Sequence, residues 1–179
     1  ALDVPIFEAM TFWRSIPGAI VLIVLIGVLA ALGMSGAQVY RVTHPARQPE
    51  MALNLGATLA KAEDVAFKST DGIRLKGWLF HGAAKMAPVV LCHDLGESKN
   101  AVINIAIALN KAGFTVLAFD FRGHGASGGD GSTLGIEEVR DVLGAVDFVA
   151  NLPKDDVDAG KIGIFGAGMG AHAAVLAAA

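Results

Sequence analysis

Between Arg14 and Arg41 the chain carries 26 consecutive residues without a charge, and their middle reads IPGAIVLIVLIGVLAALGM. About 20 apolar residues make a helix long enough to cross a bilayer, so this run constrains the fold more than any other stretch. A helix buried in a soluble core is rarely apolar on every face over such a length. A cleaved leader would have a basic start and a shorter apolar segment, whereas Asp3 and Glu8 make this start acidic. The run predicts a transmembrane helix over 15–40, preceded by a short segment, 1–14. Pro17 then falls in the first turn, where its missing N–H is harmless. Trp13 and Tyr40 flank the run as interfacial aromatics do. Arg14 on one side stands against Arg41 and Arg47 on the other, an imbalance that places the C-terminal part of a single-pass protein in the cytoplasm.

Residues 41–62 contain two prolines and no clear period, and are expected to form a juxtamembrane linker. From residue 63 the pattern changes. DVAFKS and IRLKGWLF alternate apolar and polar residues on either side of TDG, a hairpin signal. APVVLCH and FTVLAFD are short apolar runs of the kind buried on both faces of a sheet. AVINIAIALNKAG has helical spacing and ends in Gly113, a plausible stop. A second helix is expected from about Thr133, with Ile136, Val139, Leu143 and Val146 on one face. KIGIFG is a final strand and MGAHAAVLAAA a final helix. A hairpin followed by alternating strands and helices predicts an α/β fold, a mostly parallel sheet with helices on both faces. Such sheets bind ligands beyond the carboxyl ends of their strands, where each glycine-rich turn of this chain falls.

Charge and cysteine usage narrow the function. A net charge of −3 with no basic run argues against nucleic-acid binding. The single cysteine, Cys92, excludes an internal disulfide and sits in an apolar strand. No pair of histidines has metal-ligand spacing with a carboxylate or cysteine partner, so neither a metal nor a cofactor is expected.

Three stretches together carry a resemblance. VVLCHDLGES, FDFRGHGASGG and IGIFGAGMGA follow in the order, and on the elements, of the N-terminal half of an α/β-hydrolase domain. The chain from about residue 63 resembles the esterase and lysophospholipase-like branch of that family. Its resemblance implies a histidine–glycine loop at His93, a structural loop held by Asp120 and Arg122, and a nucleophile elbow at the last turn. The elbow pattern is Gly-x-Ser-x-Gly. Here Gly166 and Gly170 are the flanking glycines, and Gly168 stands where the serine belongs, so the turn has no hydroxyl to activate. The Met169 N–H remains available as an oxyanion donor. The loop that would supply the second donor has Asp94 in place of glycine, a charge that opposes an oxyanion. The triad acid and histidine come later in the family, beyond Ala179.

Two competing motifs are set aside. GASGG formally centres Ser127 in the elbow pattern, but DGST follows rather than a helix, so a flexible glycine turn is expected there. Gly166, Gly168 and Ala171 fit a dinucleotide fingerprint, but the second strand and acidic residue that such a site needs are not present. His93 and His124 are expected to be structural, His44 and His172 solvated. Without strands beyond KIGIF, the last strand would expose an apolar edge that something must cover. The expected function is a non-catalytic, single-pass membrane subunit, its degenerate hydrolase scaffold used for contacts with the bilayer and with other membrane subunits. The alternative is a piece of a membrane-anchored serine hydrolase acting on acyl esters.

Overall fold

A computed structural model describes residues 6–48, 62–153 and 157–179, and divides the chain into two compact units, Ala1–Arg41 and Val42–Ala179. In the first unit the helix α1 runs over Ile6–Thr43. It starts earlier than its apolar stretch, so Pro17 lies in the helix interior rather than in a first turn, where it forgoes one backbone hydrogen bond. Within it, Gly18–Thr43 has a mean hydropathy of 2.6 and none of it is buried. At 1.5 Å per residue its 26 residues extend about 39 Å, more than the roughly 30 Å of a hydrocarbon core. Among the described residues this is one helix long and apolar enough to cross a membrane.

In the second unit, residues 49–61 of the expected linker lie outside the described residues. Five strands follow: β1 (Ala62–Lys68), β2 (Arg74–Phe80), β3 (Val89–Cys92), β4 (Val116–Asp120) and β5 (Gly163–Gly166). Their order in the sheet is β1-β2-β4-β3-β5. β3 pairs in parallel with both β4 and β5, as alternation with helices predicts. The hairpin β1–β2 joins antiparallel through β2 and β4, so the sheet is mixed. The helix α2 (Ile103–Lys111), led in by a 3-10 turn at Lys99–Val102, covers one face; α3 (Glu138–Ala150) and α4 (Met169–Ala177) cover the other.

Strand periodicity sorts the two cores. On β4, Leu117 and Phe119 join Val142, Ala145 and Ala173 under α3 and α4, while Val116 and Ala118 join Ile103 and Ala106 under α2. β3 alternates likewise, with Val90 and Cys92 on one face and Leu91 on the other, all fully buried. Burial pushes the Cys92 thiol pKa well up, which suits packing rather than reactivity.

Helix α3 begins at Glu138, five residues after the expected Thr133. Leu134 and Gly135 both have positive φ, which a helix cannot accommodate. The Glu138 carboxylate instead accepts the backbone N–H groups of Thr133 and Gly135 and the hydroxyls of Ser132 and Thr133. Burial opposes its charge, but the bonds from Thr133 and Ser132 outweigh it and hold the pKa below its ordinary value.

Candidate functional site at the strand-to-helix turn

The carboxyl ends of β3, β4 and β5 carry three loops: 93–98, 121–137 and the turn 167–168. The first two are bound together by histidines. Phe121 N–H donates to His93 Nε2 at 3.1 Å, which leaves the His93 Nδ1–H to donate to the Asp94 carbonyl at 2.7 Å. Gly96 N–H donates to His124 Nε2 at 3.1 Å, and His124 Nδ1 lies 2.8 Å from the Arg122 carbonyl. Both rings are buried, and both are spent on backbone, as structural histidines would be. Burial lowers the His93 pKa to about 4, so it stays neutral near pH 7.

The loop after β4 is held by buried charged groups with close partners. Asp120 is fully buried, accepts Lys99 N–H at 2.7 Å on one oxygen, and on the other takes Lys99 Nζ at 2.8 Å and Ala126 N–H at 3.0 Å. Lys99 is itself 2% exposed, with its ammonium 4.7 Å from the centre of the Trp78 ring. Arg122 reaches Asp141 at 2.8 Å, Asp71 at 2.9 Å and Glu137 at 3.0 Å, which ties the loop to the hairpin and to α3. The Arg122 guanidinium, with the Ser69 hydroxyl, holds the Asp71 pKa far below the usual carboxylate range. Ser127, the centre of the alternative elbow pattern, lies in a tied loop rather than a flexible turn. It is buried, its Oγ donates to the Asp120 carbonyl at 2.5 Å, and it accepts Lys76 N–H at 2.9 Å. That hydroxyl is not available to a substrate.

Residues 43–48 add a wall that periodicity did not reveal. The Thr43 carbonyl accepts Ser132 N–H at 2.7 Å. Arg47 donates to the carbonyls of Ser127 at 2.5 Å and Gly129 at 2.6 Å, and Gln48 donates to the Gly96 carbonyl at 3.0 Å. A guanidinium on bare loop carbonyls has no sequence signature, so this strap was legible only as a linker.

At the turn, β5 runs into α4 through Gly168, at φ 48° and ψ −118°, a backbone conformation that strains any residue with a side chain. Gly166 and Gly170 are the close-approach positions: a Cβ on Gly166 would fall 2.6 Å from the Gly170 carbonyl, and one on Gly170 would meet the carbonyls of Cys92 and His93. This is the geometry of a nucleophile elbow, kept without a nucleophile. The space that a side chain at 168 would enter is filled by Asp94, whose carboxylate carbon and both oxygens would touch a Cβ there. Asp94 Oδ1 accepts Met169 N–H and Leu95 N–H, each at 2.7 Å. One carboxylate oxygen is therefore the shared acceptor of a backbone donor from each side of the turn. The sequence pointed to Met169 and to the charge of Asp94, but not to the hydrogen bonds that join Asp94 to Met169 and Leu95. Of the remaining histidines, His44 and His172 are exposed, as expected. Among the described residues no group of three or more metal-ligating side chains converges.

Comparison with known proteins agrees with this architecture. A family model described as serine aminopeptidase, S33, matches residues 83–179. An uncharacterised protein of Mycobacterium tuberculosis is 34% identical over 121 residues, 66% of this chain and 42% of that protein. A polyketide transferase of Aspergillus fumigatus is 33% identical over 119 residues, 65% of this chain and 40% of that one. The solved structure of an esterase from Pyrococcus furiosus superposes with a TM-score of 0.66 at 29% identity, over 74% of this chain and 52% of the esterase. The chain thus spans about two fifths of the length of these curated relatives and about half of that esterase.

Proposed function

This chain belongs to the serine aminopeptidase S33 family, on the α/β-hydrolase fold, and we propose that it is a single-pass membrane protein whose hydrolase-fold domain runs no serine acyl transfer and serves for contacts with other membrane subunits. One observation carries this: Asp94 Oδ1 holds both backbone donors while Gly168 offers no hydroxyl. Acyl hydrolysis needs a nucleophile at the elbow and an empty donor pair to receive the developing oxyanion. Here the first has no side chain and the second is occupied by negative charge. Anchoring rests on the exposed apolar helix, with the domain on the cytoplasmic side by the arginine imbalance across it.

The contact role rests on β5. Among the described residues it is an edge strand, with Phe165 43% exposed, and next to it α4 presents Val175 and Leu176 to solvent. An apolar edge of this kind requires a cover, from further chain or from a partner. The second reading, an anchored serine hydrolase, is favoured by the similarity to an esterase, and requires a nucleophile at a position other than 168.

Labelling of the detergent-solubilised full chain with a fluorophosphonate probe separates the two. The proposed function gives no labelled serine and no turnover of short nitrophenyl esters. A labelled serine overturns it in favour of the second reading.

A further inference from the structure

We propose that the loop before α3 dips into the bilayer that holds α1, with Leu134 and Ile136 entering the lipid interface. The docking rests on the membrane anchor of the proposed function and adds to it a second, shallow contact with the same bilayer.

Leu134 and Ile136 are large apolar side chains, 46% and 69% exposed, on a loop of otherwise small or polar residues. Their exposure is built into the backbone. Leu134 has φ 59°, a conformation that a leucine rarely adopts, and the hydrogen bonds around it hold it there. Buried Glu138 accepts the N–H groups of Thr133 and Gly135, on either side of it, at 2.9 and 2.8 Å. Leu134 N–H itself donates to Ser132 Oγ at 3.1 Å. Gly135 is buried, and a Cβ there would fall 2.6 Å from His172 Nδ1 and 3.3 Å from the Met169 carbonyl. The loop thus turns its glycine inward and both large apolar groups outward, on a strained backbone.

The strap identifies what the two side chains meet. Thr43 is the last residue of α1, whose apolar stretch Gly18–Thr43 is not buried at all. Its carbonyl accepts Ser132 N–H at 2.7 Å, two residues before Leu134. A Cβ on Gly131 would meet the same carbonyl at 2.7 Å and the His44 ring at 3.3 Å, so the loop lies directly on the chain leaving the helix. With α1 in a bilayer, Thr43 is at its surface. Two residues of extended chain cover about 7 Å, which keeps Leu134 within reach of the lipid interface.

Charge selects the kind of lipid contact. From Gly123 to Val139 there is no lysine or arginine, while Asp130, Glu137 and Glu138 are acidic. An anionic headgroup finds no cation on this loop, so the contact is apolar insertion into a neutral interface.

Depth-dependent fluorescence quenching tests this on the full chain in phosphatidylcholine bilayers with nitroxide on the lipid acyl chains. The variants Met34→Cys, Asp130→Cys and Ile136→Cys each carry a small environment-sensitive fluorophore, and buried Cys92 stays unlabelled. The probe at 136 is expected to be quenched at least about threefold more than that at 130, since interfacial apolar groups sit about 5–10 Å into the headgroup boundary. Asp130 is exposed and adjoins Gly131 on the strap, so tethering alone would quench it as strongly as 136. Equal quenching at both, or none at 136 while 34 is quenched, overturns the docking and leaves the anchor intact. A probe at 136 shielded from water yet untouched by nitroxide assigns the patch to a protein surface and overturns it too. No quenching at 34 removes the anchor itself, and the docking falls with it.

Discussion

Asp94, two residues past the end of β3, and Asp120, the last residue of β4, lie at the carboxyl ends of adjacent parallel strands, yet their surroundings differ sharply. Asp120 is fully buried, and both of its oxygens are answered, by the Lys99 ammonium and by two backbone N–H groups. Asp94 is half-buried, with one oxygen doubly bonded and the other left over. A buried charge survives only when its desolvation is offset by close partners, so Asp120 reads as structure. Asp94 keeps one oxygen on the two donors and the other towards the surface, so it closes the turn without being sealed in it.

The same substitution at the two sites breaks the comparison most directly. Asp120→Asn removes the carboxylate charge 2.8 Å from the buried Lys99 ammonium and is expected to destabilise the full chain by about 3–5 kcal/mol in chemical denaturation. A loss under 1 kcal/mol would mean that Lys99 escapes to water and that the loop after β4 is not locked. Gly168→Ser comes next. It adds a Cβ inside the Asp94 carboxylate and a side chain at φ 48°, at a cost of about 3 kcal/mol. The double variant Gly168→Ser with Asp94→Gly should recover most of that loss, and strict additivity of the two changes would show that the positions are not one unit.

A pH series sharpens the role of the histidines that join the two loops. His93 has a pKa of about 4 folded, against an ordinary 6.5, because burial disfavours its charged form. The unfolded chain therefore takes up the proton first. The contribution is complete above pH 6.5 and is lost as pH falls towards 4, by about 2 kcal/mol at pH 5. Thermal melts at pH 7.5 and 5 check this, and His93→Gln should flatten the dependence. The smallest effect is expected for Asp94→Asn. Its side-chain oxygen can still accept Leu95 and Met169 N–H, so stability should change by less than about 1 kcal/mol. A loss as large as that of Asp120→Asn would erase the distinction between the two carboxylates.

Much of the frame was legible from residue order. The uncharged run of 15–40, the alternation of IRLKGWLF and the apolar VVLC and VLAFD are local patterns, and each became the element its period demands. Gly166 and Gly170 marked the tight turn before any coordinates, since close backbone approach leaves no room for a Cβ at either. Boundaries were less legible. Leu134 and Gly135 at positive φ moved the start of α3 to Glu138, whose carboxylate serves a loop rather than a helix dipole.

What periodicity and spacing decide is what a residue does to its own backbone within a few positions. They settled the long apolar helix, the strand–helix alternation and the absence of a hydroxyl at 168. Where a side chain ends up depends on residues brought close from far along the chain. Only the fold set Asp94 against a turn more than 70 positions later, gave Oδ1 its two donors and left Oδ2 over, placed Arg47 on the carbonyls of 127 and 129, and joined Lys99 to Asp120. Burial and charge balance are properties of that three-dimensional neighbourhood, which is why the same residue type became a sealed strut at 120 and an open carboxylate at 94.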